Sequence, residues 1–183
     1  PKEGALVAVL PGHDPRAKPM LLLAHLDVVE AKRADWSRDP FKLIEEDGYF
    51  YGRGTADDKS LAAVWVDSMI RLRREHFANR RPVKLALTCG EETSYALNGA
   101  SWLVNHQRAL IAAQFALTEG GWGRLDATGK RIALNINAGE KYPQNYQLEV
   151  TNPGGNAMRP VKDNAITRLS AALVKIVAYD FPL

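Results

Sequence analysis

The chain has 183 residues, 46% of them hydrophobic and 25% charged, with a formal net charge of +3. That suffices for one ordinary globular domain, or a large part of two, with a real core. The basic residues are scattered and not interleaved with aromatics, which argues against nucleic acid as a partner. The single cysteine, Cys89, rules out an intrachain disulfide and a thiolate zinc site, and no apolar run approaches the ~18 residues of a membrane span.

Short apolar runs at Ala5–Leu10, Met20–Ala24, Val83–Leu87 and Phe115–Leu117 read as buried strands, because each is bounded by Pro, Gly or charged residues and is too short for a helix. Tyr49-Phe-Tyr-Gly52-Arg53-Gly54 reads as the end of a strand and a tight glycine loop leading to Asp57. After Asp57-Asp58, residues Leu61, Val64, Trp65, Met69 and Leu72 recur at helical spacing, with Arg71, Arg73 and Arg74 near the C-terminal end. A second helix is expected over Gly99 to Gln107. Strands alternating with helices predict an α/β fold, a sheet covered on both faces. Beyond about Asn137 the character changes: Tyr146–Val150 reads as a strand, Asn152 to Gly155 as a turn, and Ile166, Leu169, Leu173, Ile176 and Val177 as one face of a helix capped by Asp163. Residues 1–137 are thus read as one domain and 138–183 as the start of another. The chain opens at Pro1 without methionine and stops at Leu183 just after a helical pattern, so a piece of a longer protein is expected and its compartment, cytoplasmic or exported, stays open.

His25, Asp27, Asp57, Glu91, Glu92 and Glu119 all fall where a predicted strand or glycine loop ends. On one edge of a doubly wound sheet, where ligands bind, they form the donor set of a carboxylate-rich metal site suited to Zn²⁺, Mn²⁺ or Co²⁺. Residues two apart on a strand point to one side, so Asp27 is expected to take a ring proton of His25 and leave the other nitrogen free for a cation. Each element alone has an ordinary reading: a satisfied structural histidine, an N-terminal helix cap at Asp57-Asp58, a solvated turn at Glu91-Glu92. Their joint placement favours the metal site.

The segments His25-Leu-Asp27-Val-Val, Tyr51-Gly-Arg53-Gly-Thr-Ala-Asp57-Asp58-Lys59, Gly90-Glu91-Glu92 and Thr118-Glu119-Gly-Gly121 resemble, in order and spacing, the motifs of the M20 metallopeptidases, which include desuccinylases, aminoacylases and carboxypeptidases. Trp36 with Asp39-Pro-Phe41 and the Glu-Gly-Gly form look most like the carboxypeptidase S branch. The resemblance implies a three-layer αβα catalytic domain with a mixed, mostly parallel sheet, followed by the beginning of an α+β lid or dimerisation domain. It implies two zinc ions in the complete site, with Asp57 bridging them, His25 and Glu119 completing one position and Glu92 belonging to the other. Glu91 would be the general base, with Asp27 the second residue assigned to catalysis, and the Asp57–Asp58 peptide would be cis. The implied reaction is hydrolysis of an amide in a small peptide or N-acyl amino acid bearing a free carboxylate, by a protein that dimerises through its lid. The rival reading is a non-catalytic metal-binding or dimerising scaffold.

Two departures stand out. The family's last metal ligand, a histidine, comes from sequence beyond the second domain, so this chain is expected to hold one metal through His25, Asp57 and Glu119 more tightly than the other and to turn over poorly or not at all. Where the family usually has Gly-Gly-His, the chain has Gly154-Gly155-Asn156. Asn156 is either a weakened oxyanion donor or a turn residue, the two standing about even.

Overall fold

The computed structural model describes residues 4–93, 97–139, 144–156 and 158–180. The chain divides into two compact units, Pro1–Asn137 and Ala138–Leu183. In the first, β1 (Ala5–Leu10), β2 (Met20–His25), β5 (Val83–Thr88) and β6 (Phe115–Leu117) form a sheet of order β1-β5-β2-β6. Strand β2 runs parallel to both β5 and β6, whereas β1 is antiparallel to β5. Adjacent residues of a strand face opposite sides. Leu21 packs with Ala86 and Leu103 on one face, joined by Trp102. Leu22 packs with Val83 and Leu85 on the other, joined by Trp65 and Met69.

Those partners come from helices. Trp65 and Met69 lie on α1 (Lys59–Arg74), and Trp102 and Leu103 on α2 (Gly99–His106), which is followed by the short α3 (Arg108–Ile111). Helices on both faces make the three layers expected, and burying each Leu contributes about 1.5–3 kcal/mol. Val64, counted in the stripe of α1, is 54% exposed. It lies about 60° around the helix from Leu61, off the line through Trp65, Met69 and Leu72.

Two hairpins form separate two-stranded sheets: β3 (Ile44–Glu46) with β4 (Tyr49–Tyr51), and β7 (Gly123–Leu125) with β8 (Arg131–Leu134). Sequence reading had found only the second strand of the first. In the other unit, α4 (Ala165–Val177) is capped by Asn164 rather than Asp163. The Asn164 side chain accepts from Ile166 and Thr167 amides, while the Thr167 hydroxyl accepts the Asn164 amide, a reciprocal capping box. Asp163 is instead held by Arg168, through contacts of 2.6 and 2.5 Å. Residues Tyr146–Val150 form no strand ladder with any described residue.

Candidate metal centre

Parallel strands end on one side of their sheet, so the segments leaving β2, β5 and β6 converge. His25 is the last residue of β2 and is 3% exposed. Its Nδ1 lies 3.0 Å from the backbone carbonyl oxygen of Asp27. A carbonyl oxygen only accepts, so Nδ1 carries a proton, and Nε2 is left for a cation or, without one, for a second proton donated to a carboxylate. Nε2 meets carboxylates: Asp57 Oδ1 at 3.0 Å, Glu119 Oε1 at 3.5 Å and Glu91 Oε2 at 4.0 Å.

Two glycines deliver these side chains. Gly54, at φ +83, opens the loop to Asp57, and a Cβ there would lie 2.5 Å from Val28 Cγ1. Gly90, at φ +84, turns the chain between β5 and the Glu91-Glu92 pair, and a Cβ there would lie 2.0 Å from the Leu97 carbonyl oxygen. The Asp57–Asp58 peptide is cis, as the family resemblance implies.

Asp27 departs from the expected geometry. Its Oδ1 is 3.6 Å from His25 Nδ1, outside hydrogen-bond range, and has no hydrogen-bond partner among the described residues. Its Oδ2 accepts the Glu92 N–H at 3.0 Å. Strand alternation suggested a carboxylate beside the imidazole, but β2 stops at His25, so Asp27 presents its main-chain oxygen there instead.

Donor atoms within 4.8 Å of one another group in two ways, as His25, Asp57 and Glu119 and as His25, Glu91 and Glu92. The second grouping joins Glu92 to Glu91 around the imidazole. Asp57 also acts on Glu92 through its charge: burial first, then the negative charges of Asp57 and Glu91, push the Glu92 pKa up. Burial, followed by the charge of Asp58, likewise raises Glu119. For His25, burial is the largest influence and acts downward, yet the Asp27 carbonyl and the charges of Glu119, Asp58 and Glu91 outweigh it and the pKa is raised. Burial pushes Asp27 up, but the backbone amides of Glu92, Glu91, Asp27 and Gly90 more than offset it, holding the carboxyl below its usual range. A site in which several carboxylates share one imidazole and resist ionising together needs positive charge. One imidazole with carboxylates is a donor set that fits Zn²⁺, Mn²⁺ or Co²⁺.

Sequence reading took Asp58 for a cap. It occupies the N-cap of α1, but its side chain makes no capping hydrogen bond. Its Oδ2 accepts the backbone N–H of His25 at 3.1 Å, and Asp58 is 2% exposed. Burial raises its pKa against the lowering effect of that amide. No local spacing reveals this, because the partner is 33 residues away.

Residues 21–180 match the family model described as peptidase family M20/M25/M40. The chain belongs to this family. It is 34% identical over 176 residues to the human N-fatty-acyl-amino acid synthase/hydrolase PM20D1, covering 94% of this chain and 34% of that protein. Pig aminoacylase-1 is 30% identical over 181 residues, covering 96% of this chain and 42% of the relative. The chain therefore spans about a third of the length of the PM20D1 proteins it matches. Among solved structures, the M20 family metallo-carboxypeptidase Sso-CP2 from Sulfolobus solfataricus superposes with a TM-score of 0.55 at 26% identity, over 68% of this chain and 27% of that one. Human carnosine dipeptidase 1 gives 0.51 at 28% identity, over 64% and 25%. The M20 assignment implies a divalent metal.

Within the second unit, Asn156 uses its side-chain oxygen to accept the Met158 N–H at 2.9 Å, and its carbonyl accepts the Arg159 N–H at 2.9 Å. These are turn contacts. No helix among the described residues is long and apolar enough to cross a membrane.

Proposed function

We propose that the first unit is the catalytic layer of a dinuclear metal-dependent hydrolase that cleaves an amide in a small substrate with a free carboxylate, an N-acyl amino acid or a short peptide. The observation that carries the reading is the buried His25. Its Nδ1 is satisfied by a main-chain carbonyl, and its Nε2 faces the carboxylates of Asp57, Glu119 and Glu91. The named activities of PM20D1 and aminoacylase-1 support the substrate class.

In this reading His25, Asp57 and Glu119 hold one zinc ion, or Co²⁺ or Mn²⁺ in its place, and Asp57 with Glu92 contributes to a second. Bound there, the cations supply a polarised amide carbonyl and a water of lowered pKa. Glu91, whose side chain is 51% exposed, has access to solvent and stands at the same cluster. It accepts the water proton as general base and returns it to the departing amine as general acid. Asp27 braces the arrangement, its carbonyl orienting the imidazole and its carboxylate holding the Glu92 amide. The unit after Asn137 is read as the start of the lid or dimerisation domain. There Asn156 could offer only a neutral N–H to an oxyanion.

Elemental analysis of the purified chain tests this. One equivalent of zinc, cobalt or manganese, lost in both His25→Ala and Glu119→Ala, is the expected result. No metal after reconstitution would overturn it.

A further inference from the structure

Strand β2 pairs with β6 only from Met20–Phe115 to Leu22–Leu117. Alternate residues of a parallel strand turn their backbone groups to opposite neighbours. Because the Leu26 N–H goes to Thr88 of β5, at 2.8 Å, the His25 N–H and the Leu23 carbonyl point to the other flank, where β6 pairing has ended. Side chains of α1 and of its N-cap residue take up that flank. Trp65 Nε1 donates to the Leu23 carbonyl at 3.3 Å, and Asp58 Oδ2 accepts the His25 N–H at 3.1 Å. Lys59 adds a third tie, its ammonium donating to the Leu26 carbonyl.

We propose that Asp58 is a positioning residue for the metal centre: its carboxylate replaces a strand acceptor at the end of β2 and thereby sets His25 against Asp57. The inference rests on the metal-centre reading above. Asp57 and Asp58 are consecutive, and each holds one end of His25, Asp57 the imidazole at 3.0 Å and Asp58 the main-chain amide at 3.1 Å. The imidazole can neither slide along the strand axis nor swing from Asp57 without breaking one of these contacts. Energetics point the same way. An aspartate at an N-cap ordinarily satisfies the first-turn amides of its own helix. Asp58 forgoes that, and a 2% exposed carboxylate spent on one strand amide is costly unless the placement of that strand end matters. Residues that orient a ligand from behind in this way change metal affinity about 10–100-fold when removed.

The experiment compares Asp58→Asn and Asp58→Ser with the parent chain. Asparagine keeps an acceptor of the same reach. Serine remains a favourable N-cap, so the helix start is kept, but its hydroxyl is too short to reach the His25 amide. Two readouts are taken: the chemical shift and exchange rate of the His25 amide proton in ¹⁵N-labelled metal-free chain, and Co²⁺ affinity by chelator competition with the cobalt absorption spectrum. In Asp58→Ser the amide proton is expected to shift upfield and exchange faster, and Co²⁺ affinity to fall about 10–100-fold. Asp58→Asn is expected to stay within a few-fold of the parent in both. An unmoved His25 amide in Asp58→Ser overturns the inference, as does an affinity loss equal in the two variants. Co²⁺ uptake by the parent chain tests the metal-centre reading separately, and the amide comparison decides the Asp58 contact whether or not metal binds.

Discussion

His25 Nδ1 lies 3.0 Å from the main-chain oxygen of Asp27 and 3.6 Å from its carboxylate, so at Nδ1 the imidazole is held by the Asp27 backbone and not by its charge. Substitution at Asp27 should therefore leave the tautomer alone and act on its other partner. In Asp27→Ala the Glu92 N–H loses its acceptor, a cost of about 1–3 kcal/mol. Asp27→Asn retains an acceptor and should cost less. Histidine ¹⁵N shifts should report a protonated Nδ1 in both variants, and a tautomer change in either would refute the backbone role.

Replacing Glu91, the proposed general base, should separate chemistry from binding. In a form of the protein that turns over an N-acyl amino acid, Glu91→Gln is expected to lower kcat by about 10²–10⁴-fold. Metal stoichiometry should be unchanged. His25→Ala and Glu119→Ala should lose both. Metal loss in Glu91→Gln would make Glu91 a ligand.

The acidic cluster gives the metal-free chain a definite pH response. His25 is raised, so the stability from its imidazolium is complete below the ordinary value of about 6.5 and is lost as pH rises through the raised one. Asp58, Glu92 and Glu119 are raised as well, so their protonated forms favour the fold and that contribution also fades as pH rises. Asp27 has the opposite sign: its contribution is present above about 3.9 and is lost as pH falls through its lowered value. Acidification from pH 8 to about 5 should thus raise the Tm of the metal-free chain. Metal binding requires these groups deprotonated, so the stabilisation by added Co²⁺ should shrink over the same interval. Scans of Tm against pH with and without Co²⁺ check both; a Tm that falls on acidification without metal would contradict the assignment.

Gly90→Ala should be the most damaging of the glycine changes. It combines a left-handed backbone with a Cβ 2.0 Å from the Leu97 carbonyl oxygen, and the displaced turn carries Glu91 and Glu92. Gly48→Ala shares the positive φ, +79, but meets nothing within 4 Å, so it should cost only the backbone term of about 1–2 kcal/mol. Urea denaturation of the two variants measures the difference. Equal losses would mean that the Leu97 contact carries no weight.

What could be read from residues alone was what depends on neighbours in sequence. Ala5–Leu10 and Phe115–Leu117 are bounded as expected because apolar runs between breakers have few other outcomes, but Phe115 and Leu117 are exposed, at 44% and 42%, and not buried as expected. Ile44–Glu46 was missed because three residues ending in two glutamates carry no strand pattern, and only pairing with Tyr49–Tyr51 makes them one. Tyr146–Val150 failed in reverse: the pattern suits a strand, but a ladder needs a partner, and none stands beside it among the described residues. Asp163 and Asn164 are both good caps, and the Arg168 guanidinium, by engaging Asp163, decides between them. At the metal centre, the motifs named the ligand candidates. Of the contacts that aim them, Asp27 to His25 spans two residues and was legible as a pairing, though not as a carbonyl contact, whereas the Asp58 carboxylate reaches His25 across 33 residues and leaves no local trace.

The parallel pairing of β2 with β5 also guards the identity of the two adjacent glutamates. Leu85 belongs to one face of the sheet and Ala86 to the other, so a one-residue slip of β5 would turn both to the wrong layer. The same slip would put one of Glu91 and Glu92 in the other's place, exchanging the proposed base for the proposed ligand. The hydrophobic layers thereby proofread the chemistry: a mispaired strand that would scramble the two carboxylates cannot bury its core.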